Sequence, residues 1–515
     1  MATRNKLYLV SFIEGATVMV VELCAAKLLA PYFGTSVQVW AATIGVTMAG
    51  LAGGYFLGAK LVQRSNIEAT LRLILVFVSM LIILYPMISF FVMEKLVYMS
   101  LFVGVLLSLL ITLFPILVLL GITSPMIIGL LSNHNKSAGT IAGVVYGIST
   151  LGGILMTLLT GFYMIPYLGI RSTMLISGIV LLITSLVTLV GSTKSTSISL
   201  LALIVPLMLT FNFDKELNPY FKVLFESDGL LGNIKIIEHQ SDGLGKSGLL
   251  GRGLVVNNTL QTFMDVKDPF HSSIWAWSNI IPSALSVYKS NTTKVLLCGL
   301  GGATIVKQLN LLGFKDYDIV ELDSRIYSLA RKYFDLGNSA NVIIDDARHF
   351  IRKNNKKYDV ILFDTFLSES APEHLLTVES LRQVKEDLTD QGMLMTNFYG
   401  FTSGELGYAA RSVIRTYIEA GFKTQVIATP GDENGRNILI VGSINDIDFS
   451  DVSYEETDGM HITDISGLLL DLKSLDLKHA EILRDNNPKL SKLYSNVSMM
   501  WKKGYNNYYT KNLYK

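Results

Sequence analysis

The chain has 515 residues, 50% of them hydrophobic and 17% charged, with a formal net charge of +1. Residues 1–213 hold 14 of the 85 Asp, Glu, Lys and Arg side chains and carry +6, which leaves −5 for the remainder. The first part cannot cover itself with polar surface, which excludes one soluble globule; the second excludes a purely membrane-embedded protein, and the near-neutral total without a basic run excludes nucleic acid as the main partner.

Hydrophobic windows of about 20 residues predict membrane-spanning helices. They fall at Leu7–Pro31, Val39–Leu61, Leu71–Val92, Leu101–Gly121 (running on towards Leu131), Ile141–Pro166 and Ile170–Val190. A seventh, Ile198–Phe213, is short and contains Pro206, so the expected bundle has six or seven spans. Gly50, Gly54 and Gly58, and again Gly139, Gly143 and Gly147, recur every four residues, a spacing that lets helix backbones approach closely. Glu14 and Glu22 lie inside the first window, about 80° apart on a helix, and both are expected to face the bundle interior. Each reads either as a cation- or proton-binding group or as a structural hydrogen-bonding one. Lys27 is expected to pair with Glu22 or to snorkel. The basic residues Arg4, Lys6, Lys60, Arg64, Arg72, Lys136 and Lys194 share one side, which the positive-inside rule places in the cytoplasm with the N-terminus. Six spans return the soluble part to the cytoplasm, and seven put it outside.

From Asp214 the pattern changes. Lys222–Glu238 and Gly253–Phe263 read as strands of a small β-unit, split by the turn Ser241–Gly251. A helical stretch, His271–Val287, precedes an alternation of strands (Lys294–Cys298, Tyr317–Leu322, Asn341–Ile344, Tyr358–Phe363, Gly392–Phe398) with helices (Ala303–Leu312, Ser324–Phe334, Asp346–Asn354, Val378–Leu388). That alternation predicts a doubly wound parallel sheet. The segments are then 1–213 transmembrane, 214–270 β-unit, 271–450 nucleoside-binding domain and 451–515 tail, with Trp501–Lys515 expected to be frayed.

Such sheets bind ligands at the carboxyl ends of their strands. Gly299, Gly301 and Gly302 form a turn able to approach a ligand closely, and Glu321, 20 residues past Gly301, sits where a carboxylate accepts ribose hydroxyl hydrogen bonds. Asp323 is its nearby alternative. Asp346 is placed either to accept from an adenine amino group or to cap the helix that follows, Asp364 points into the same cleft, and Asp345 reads as structural. His134, His239, His349, His374 and His461 show no metal-ligand spacing, so no metal is expected. Cys24 and Cys298 read as packed thiols.

Two sets of motifs carry a resemblance. The stretch from Glu22 to Gly58, with LLAPYFGTSVQVW and AGGYFLGAK, resembles the membrane part of bacterial proteins described as fused major-facilitator/spermidine synthases. VLFESDGLLGNIKIIE, LVVNNTLQTFMD, KVLLCGLGGATIVKQL, DIVELD, IDDARHF, YDVILFDTF and PEHLLTVESL resemble, in order, the spermidine synthase (polyamine aminopropyltransferase) family over roughly Val223–Val441. The resemblance implies an adenosylmethionine-dependent methyltransferase-like (Rossmann-like) fold after a small β-domain. It implies ribose binding by Glu321, adenine binding by Asp346, amine deprotonation by Asp364, and substrate contacts at Gln261 and near His271. The co-substrate implied is adenosylmethionine or its decarboxylated form, with no tightly bound cofactor. The chain departs from the family at Gly301 and Leu367, where the family carries aspartates that anchor cationic amines.

The expectation is therefore an integral protein of a bacterial-type inner membrane, its soluble domain cytoplasmic, transferring an aminopropyl or other alkyl group to a small amine. Its partners are then the lipid bilayer and that amine, with homo-oligomerisation left open. The other reading is a transporter or export-linked protein whose domain binds a nucleoside without turnover.

Overall fold

The low-charge first part forms helices because its long apolar runs satisfy every backbone polar group internally. In a computed structural model, which describes residues 3–63, 66–132, 138–189, 218–229, 231–241, 249–267, 276–337, 340–366, 368, 370–449 and 465–513, they are α1 (Arg4–Phe33), α2 (Val37–Leu61), α3 (Ile67–Leu96), α4 (Leu101–Thr112), α5 (Phe114–Ser132), α6 (Ala138–Leu159) and α7 (Ile165–Thr188). A π turn, Thr160–Met164, joins α6 to α7. The chain forms two units: Met1–Asn218 with Glu226–Ile234 and Asn506–Lys515, and Pro219–Phe225 with Lys235–Tyr505.

Among the described residues, five helical runs are long and apolar enough to cross a membrane by length and composition: α1, α2, α3, α5 and the continuous run Ala138–Thr188. The expected six or seven spans are thus not the number found. Two expected spans fall in the last run, which is broken by Gly169 at φ 78°, ψ 166°, a conformation open to glycine because it lacks a Cβ. The fourth expected span is divided at Leu113, and Ile198–Phe213 lies outside the described residues. Phe56, Phe102, Phe162 and Tyr167 are more than 70% exposed on this unit, an outward apolar face consistent with an integral membrane protein.

Close helix contacts occur where small residues allow them. A Cβ on Gly54 would lie 2.4 Å from the Val118 carbonyl oxygen, and one on Gly50 or Gly58 would also collide with α5. The second glycine series behaves otherwise: a Cβ on Gly139, Gly143 or Gly147 would meet none of the described residues beyond its own stretch of helix within 4 Å. Residues of α6 that meet α1 include Ser149, opposite Gly15, and Gly152, whose Cβ would lie 2.2 Å from the Phe12 carbonyl oxygen.

In the second part, β1 (Phe221–Ser227), β2 (Ile234–Ser241), β3 (Leu249–Val256) and β4 (Thr259–Asp265) form a four-stranded sheet in that order. Each long strand read from sequence is thus a pair. Asn257 and Asn258, at φ 49° and 61°, make the tight turn between β3 and β4.

A seven-stranded sheet follows: β5 (Lys294–Cys298), β6 (Asp316–Glu321), β7 (Asn341–Ile344), β8 (Tyr358–Phe363), β9 (Leu388–Tyr399), β10 (Lys423–Ala428) and β11 (Asn437–Ser443). Its order is β10-β11-β9-β8-β5-β6-β7. β5 to β9 pair in parallel, whereas β11 runs antiparallel to both β9 and β10, so the sheet is mixed rather than wholly parallel. The helices Thr304–Leu311, Ser324–Tyr333, Ala347–Lys353 and Val378–Glu386 separate the parallel strands, giving a Rossmann-like domain. The near-continuous apolar runs of β5 and β8 fit strands buried on both faces. The chain reverses direction across the sheet at β5, which has β6 on one side and β8 on the other, and the carboxyl ends of these strands form the switch-point crevice. The C-terminal segment is the helix Leu490–Asn512 and not a frayed end. Aromatic packing holds it: Trp501 stacks on Tyr399 with ring centroids 4.3 Å apart.

Candidate functional site

The crevice begins where β5 runs out. Gly299 (φ 94°) and Gly301 (φ 51°) turn the chain, and the Gly302 amide donates to Thr262 Oγ1 at 2.9 Å. Neither side of this turn tolerates a side chain: a Cβ on Gly299 would lie 2.0 Å from the Asp364 carbonyl oxygen, and one on Gly302 would lie 2.4 Å from Thr262 Cγ2. The glycines therefore set the turn against β4 and the end of β8, and their open backbone forms the cradle.

Glu321 closes β6 and is buried. Its Oε2 accepts from the Leu300 amide at 2.9 Å and its Oε1 from the Asp323 amide at 2.8 Å. Burial raises its pKa against the lowering effect of these backbone donors. Each carboxylate oxygen has two acceptor sites, so Glu321 organises the glycine turn and keeps acceptor capacity for a diol. Asp323, the alternative, is committed: it caps the next helix through the Arg325 amide at 2.9 Å and pairs with the Arg325 guanidinium at 2.6 Å.

Asp346 combines both roles weighed for it. Oδ1 accepts from the His349 amide at 3.1 Å as a helix cap, and Oδ2 lies 3.0 Å from His374 Nε2. The His374 hydrogen bond is the main reason its pKa is lowered. Asp345 is structural, lying 2.7 Å from His349 Nδ1 and accepting from the Asp346 amide at 2.8 Å.

Asp364 follows β8, its amide donating to the Cys298 carbonyl at 2.9 Å. Its Oδ1 accepts from Asn397 Nδ2 at 3.0 Å, and Asn397 Oδ1 accepts from Asn437 Nδ2 at 2.8 Å. Burial pushes the Asp364 pKa up to about 6, and the Asn397 hydrogen bond restrains the rise. A carboxylate titrating there is poised to hold or take a proton near neutrality. The aromatic cluster starts two residues on: Phe366 packs edge-on to Phe398, Tyr494 and Trp501, with centroids 5.6, 5.9 and 6.4 Å away.

Gln261 sits at a β-bulge: Leu254 pairs with Thr262 and Val255 with Leu260, so Gln261 has no partner residue in β3. Bulges redirect side chains beside active sites. His271 and Leu367 lie outside the described residues. The glycine turn, Glu321, Asp346 and Asp364 thus come together at the ends of β5, β6, β7 and β8. Thr262, His374, Asn397 and Asn437 escape the sequence reading, since their roles arise from contacts between distant segments.

Glu14 and Glu22 belong to the helical unit and are both buried. Glu14 Oε2 accepts from Ser149 Oγ of α6 at 3.0 Å, whereas Glu22 has Thr47 of α2 as its hydroxyl partner. Lys27 lies over the Trp40 ring at 5.7 Å.

An open sheet with a glycine cradle and strand-end carboxylates at its switch point defines a class of α/β ligand-binding domain. Residues 278–402 match the family model described as the spermine/spermidine synthase domain. Over 183 residues the chain is 31% identical to a polyamine aminopropyltransferase of Vibrio vulnificus, covering 34% of this chain and 59% of that one. Over 192 residues it is 28% identical to an N-terminal histidine N-methyltransferase of Emericella nidulans, covering 35% of this chain and 34% of that one. The chain thus spans less than two thirds of either relative's own length. A solved spermidine synthase from Thermotoga maritima aligns at 19% identity with a TM-score of 0.36, over 50% of this chain and 94% of that one. The chain carries a polyamine-aminopropyltransferase/spermidine-synthase-like domain, fused to an N-terminal region of membrane-length helices.

Proposed function

We propose that this protein is a membrane-anchored transferase that binds an adenosylmethionine-type nucleoside and moves an aminopropyl or other alkyl group from its sulfonium to an amine. The observation that carries this reading is Asp364, a desolvated carboxylate at the end of β8, restrained by Asn397 and touching the glycine turn through its backbone. An acceptor amine with a pKa near 10 must lose a proton before it can attack. The new N–C bond forms as the C–S bond breaks, the thioether leaves, and the acceptor's proton passes to Asp364. Glu321 holds the ribose, Asp346 the adenine amino group, and Gln261 and His271 belong to the acceptor side. The sulfonium supplies a leaving group that departs neutral, which leaves the protein to orient the two reactants and take one proton.

Gly301 offers no acidic anchor, which makes intact adenosylmethionine as reasonable a co-substrate as the decarboxylated form. The helical unit embeds in a bilayer, with the domain on the cytoplasmic side where the co-substrate is made. Full-length protein should release methylthioadenosine from decarboxylated adenosylmethionine with putrescine, or S-adenosylhomocysteine from adenosylmethionine with an amine panel. Asp364→Asn should slow either reaction by about 10²–10⁴-fold, the usual contribution of a positioned general base. Release of neither thioether by the wild-type protein contradicts the proposal.

A further inference from the structure

Asp346 presents Oδ2 to the crevice already occupied. His374 Nε2 lies 3.0 Å from it, while Oδ1 is spent on the cap of the following helix. The histidine's main chain is fixed: Arg348 donates to the His374 carbonyl oxygen and pairs with Asp485 at 2.7 Å, and Leu375 and Leu376 are buried. Its side chain is not confined in this way, being 55% exposed. Rotation about the side-chain bonds alone can therefore free Oδ2, with no movement of the loop.

We propose that His374 gates the nucleobase end of the cleft, holding Asp346 Oδ2 until a base bearing an exocyclic amino group takes its place. This rests on the reading of Asp346 as the base-binding carboxylate. The ligand class follows from chemistry: a carboxylate oxygen takes a hydrogen bond from an amino group and repels a carbonyl oxygen, so adenine-type nucleosides displace the imidazole and 6-oxo purines do not. The imidazole and the base compete for the same oxygen, so removing the imidazole should strengthen the binding of adenine-type nucleosides.

Other ionisable groups border this pair. From the preceding helix, His349 is matched to Asp345 at 2.7 Å and Arg348 to Asp485, with Arg352 also acting on Asp485. On the sides of the turn, Glu373 accepts from Ser491 Oγ at 2.7 Å, and Glu379 lies 3.8 Å from Arg484. Asp364 titrates in the same crevice, so the informative quantity is the difference between the wild type and variants of His374.

The test is calorimetric titration of the full-length protein with methylthioadenosine. The wild type should bind it more weakly than His374→Ala by about two- to fivefold, the range an exposed pair supplies. Asp346→Asn keeps a good helix cap, and in that background His374→Ala should make no further difference, whereas in His349→Gln it should still strengthen binding. Equal affinity in wild type and His374→Ala overturns the gate, as does weaker binding by His374→Ala, which would make the imidazole a ligand. Absence of methylthioadenosine binding by all forms, His374→Ala included, instead overturns the nucleoside reading on which the gate rests.

Discussion

A methyl group at position 299 would lie 2.0 Å from a backbone oxygen, on a residue at φ 94°. Gly299→Ala therefore combines a collision with a left-handed conformation that by itself costs about 1–3 kcal/mol. It should lower the unfolding temperature and abolish nucleoside binding, measured by thermal unfolding and calorimetry on the same preparation. Asp364 makes an opposite prediction. Burial lifts its pKa from 3.8 to about 6, so the folded protein holds this proton more tightly than the unfolded chain does. The resulting stabilisation is present at low pH and is lost as the pH rises towards 6. Asp364→Asn should then raise the unfolding temperature at pH 7.5 by about 2–4 °C, a shift worth about 1 kcal/mol in a domain of this size, and give no such gain near pH 4. The acids at positions 321, 346 and 364 are legible in the sequence because each stands at the end of a readable strand or within two residues of it. Asn397 and Thr262 are not, because an asparagine or threonine within a strand has no distinctive spacing, and only the fold brings each to its partner.

At the scale of elements, identical glycine spacings have different outcomes. Gly54 lies against α5, whereas a Cβ on Gly143 would meet no described residue of another helix within 4 Å, yet both stand in runs of period four. A periodic pattern shows that a face is smooth, whereas the arrangement of helices decides whether another backbone meets it. Gly54→Leu should separate α2 from α5 and lower thermal stability in detergent, while Gly143→Leu should leave it nearly unchanged. Strands β5 to β9 are legible as apolar runs alternating with helices, whereas β10 and β11 are not, and the antiparallel pairing they bring is what makes the sheet mixed. The C-terminal helix is hidden in the sequence because its Tyr, Lys and Asn content reads as polar. Its hold comes from Trp501 on Tyr399 and from Lys502, which is buried and donates to the Asn257 carbonyl oxygen and to Ser368 Oγ. Trp501→Ala should cost about 3 kcal/mol, near the low end for loss of a packed tryptophan, read as a lower unfolding temperature of the soluble domain.

For the whole molecule, the uneven distribution of charge already separates a helical part from an α/β part, and the structure gives each its own core. Composition says less about the number of crossings, because helix ends depend on local breaks such as Gly169. The central claim concerns the second part: the crevice beside β5 takes an adenosine nucleoside through Glu321. Calorimetry of full-length wild type and Glu321→Gln with methylthioadenosine tests it most directly. The account predicts binding by the wild type and a loss of about 10- to 100-fold in Glu321→Gln, the effect of removing hydrogen bonds to a charged acceptor. No heat of binding at millimolar nucleoside, or equal affinity in the two proteins, would contradict it.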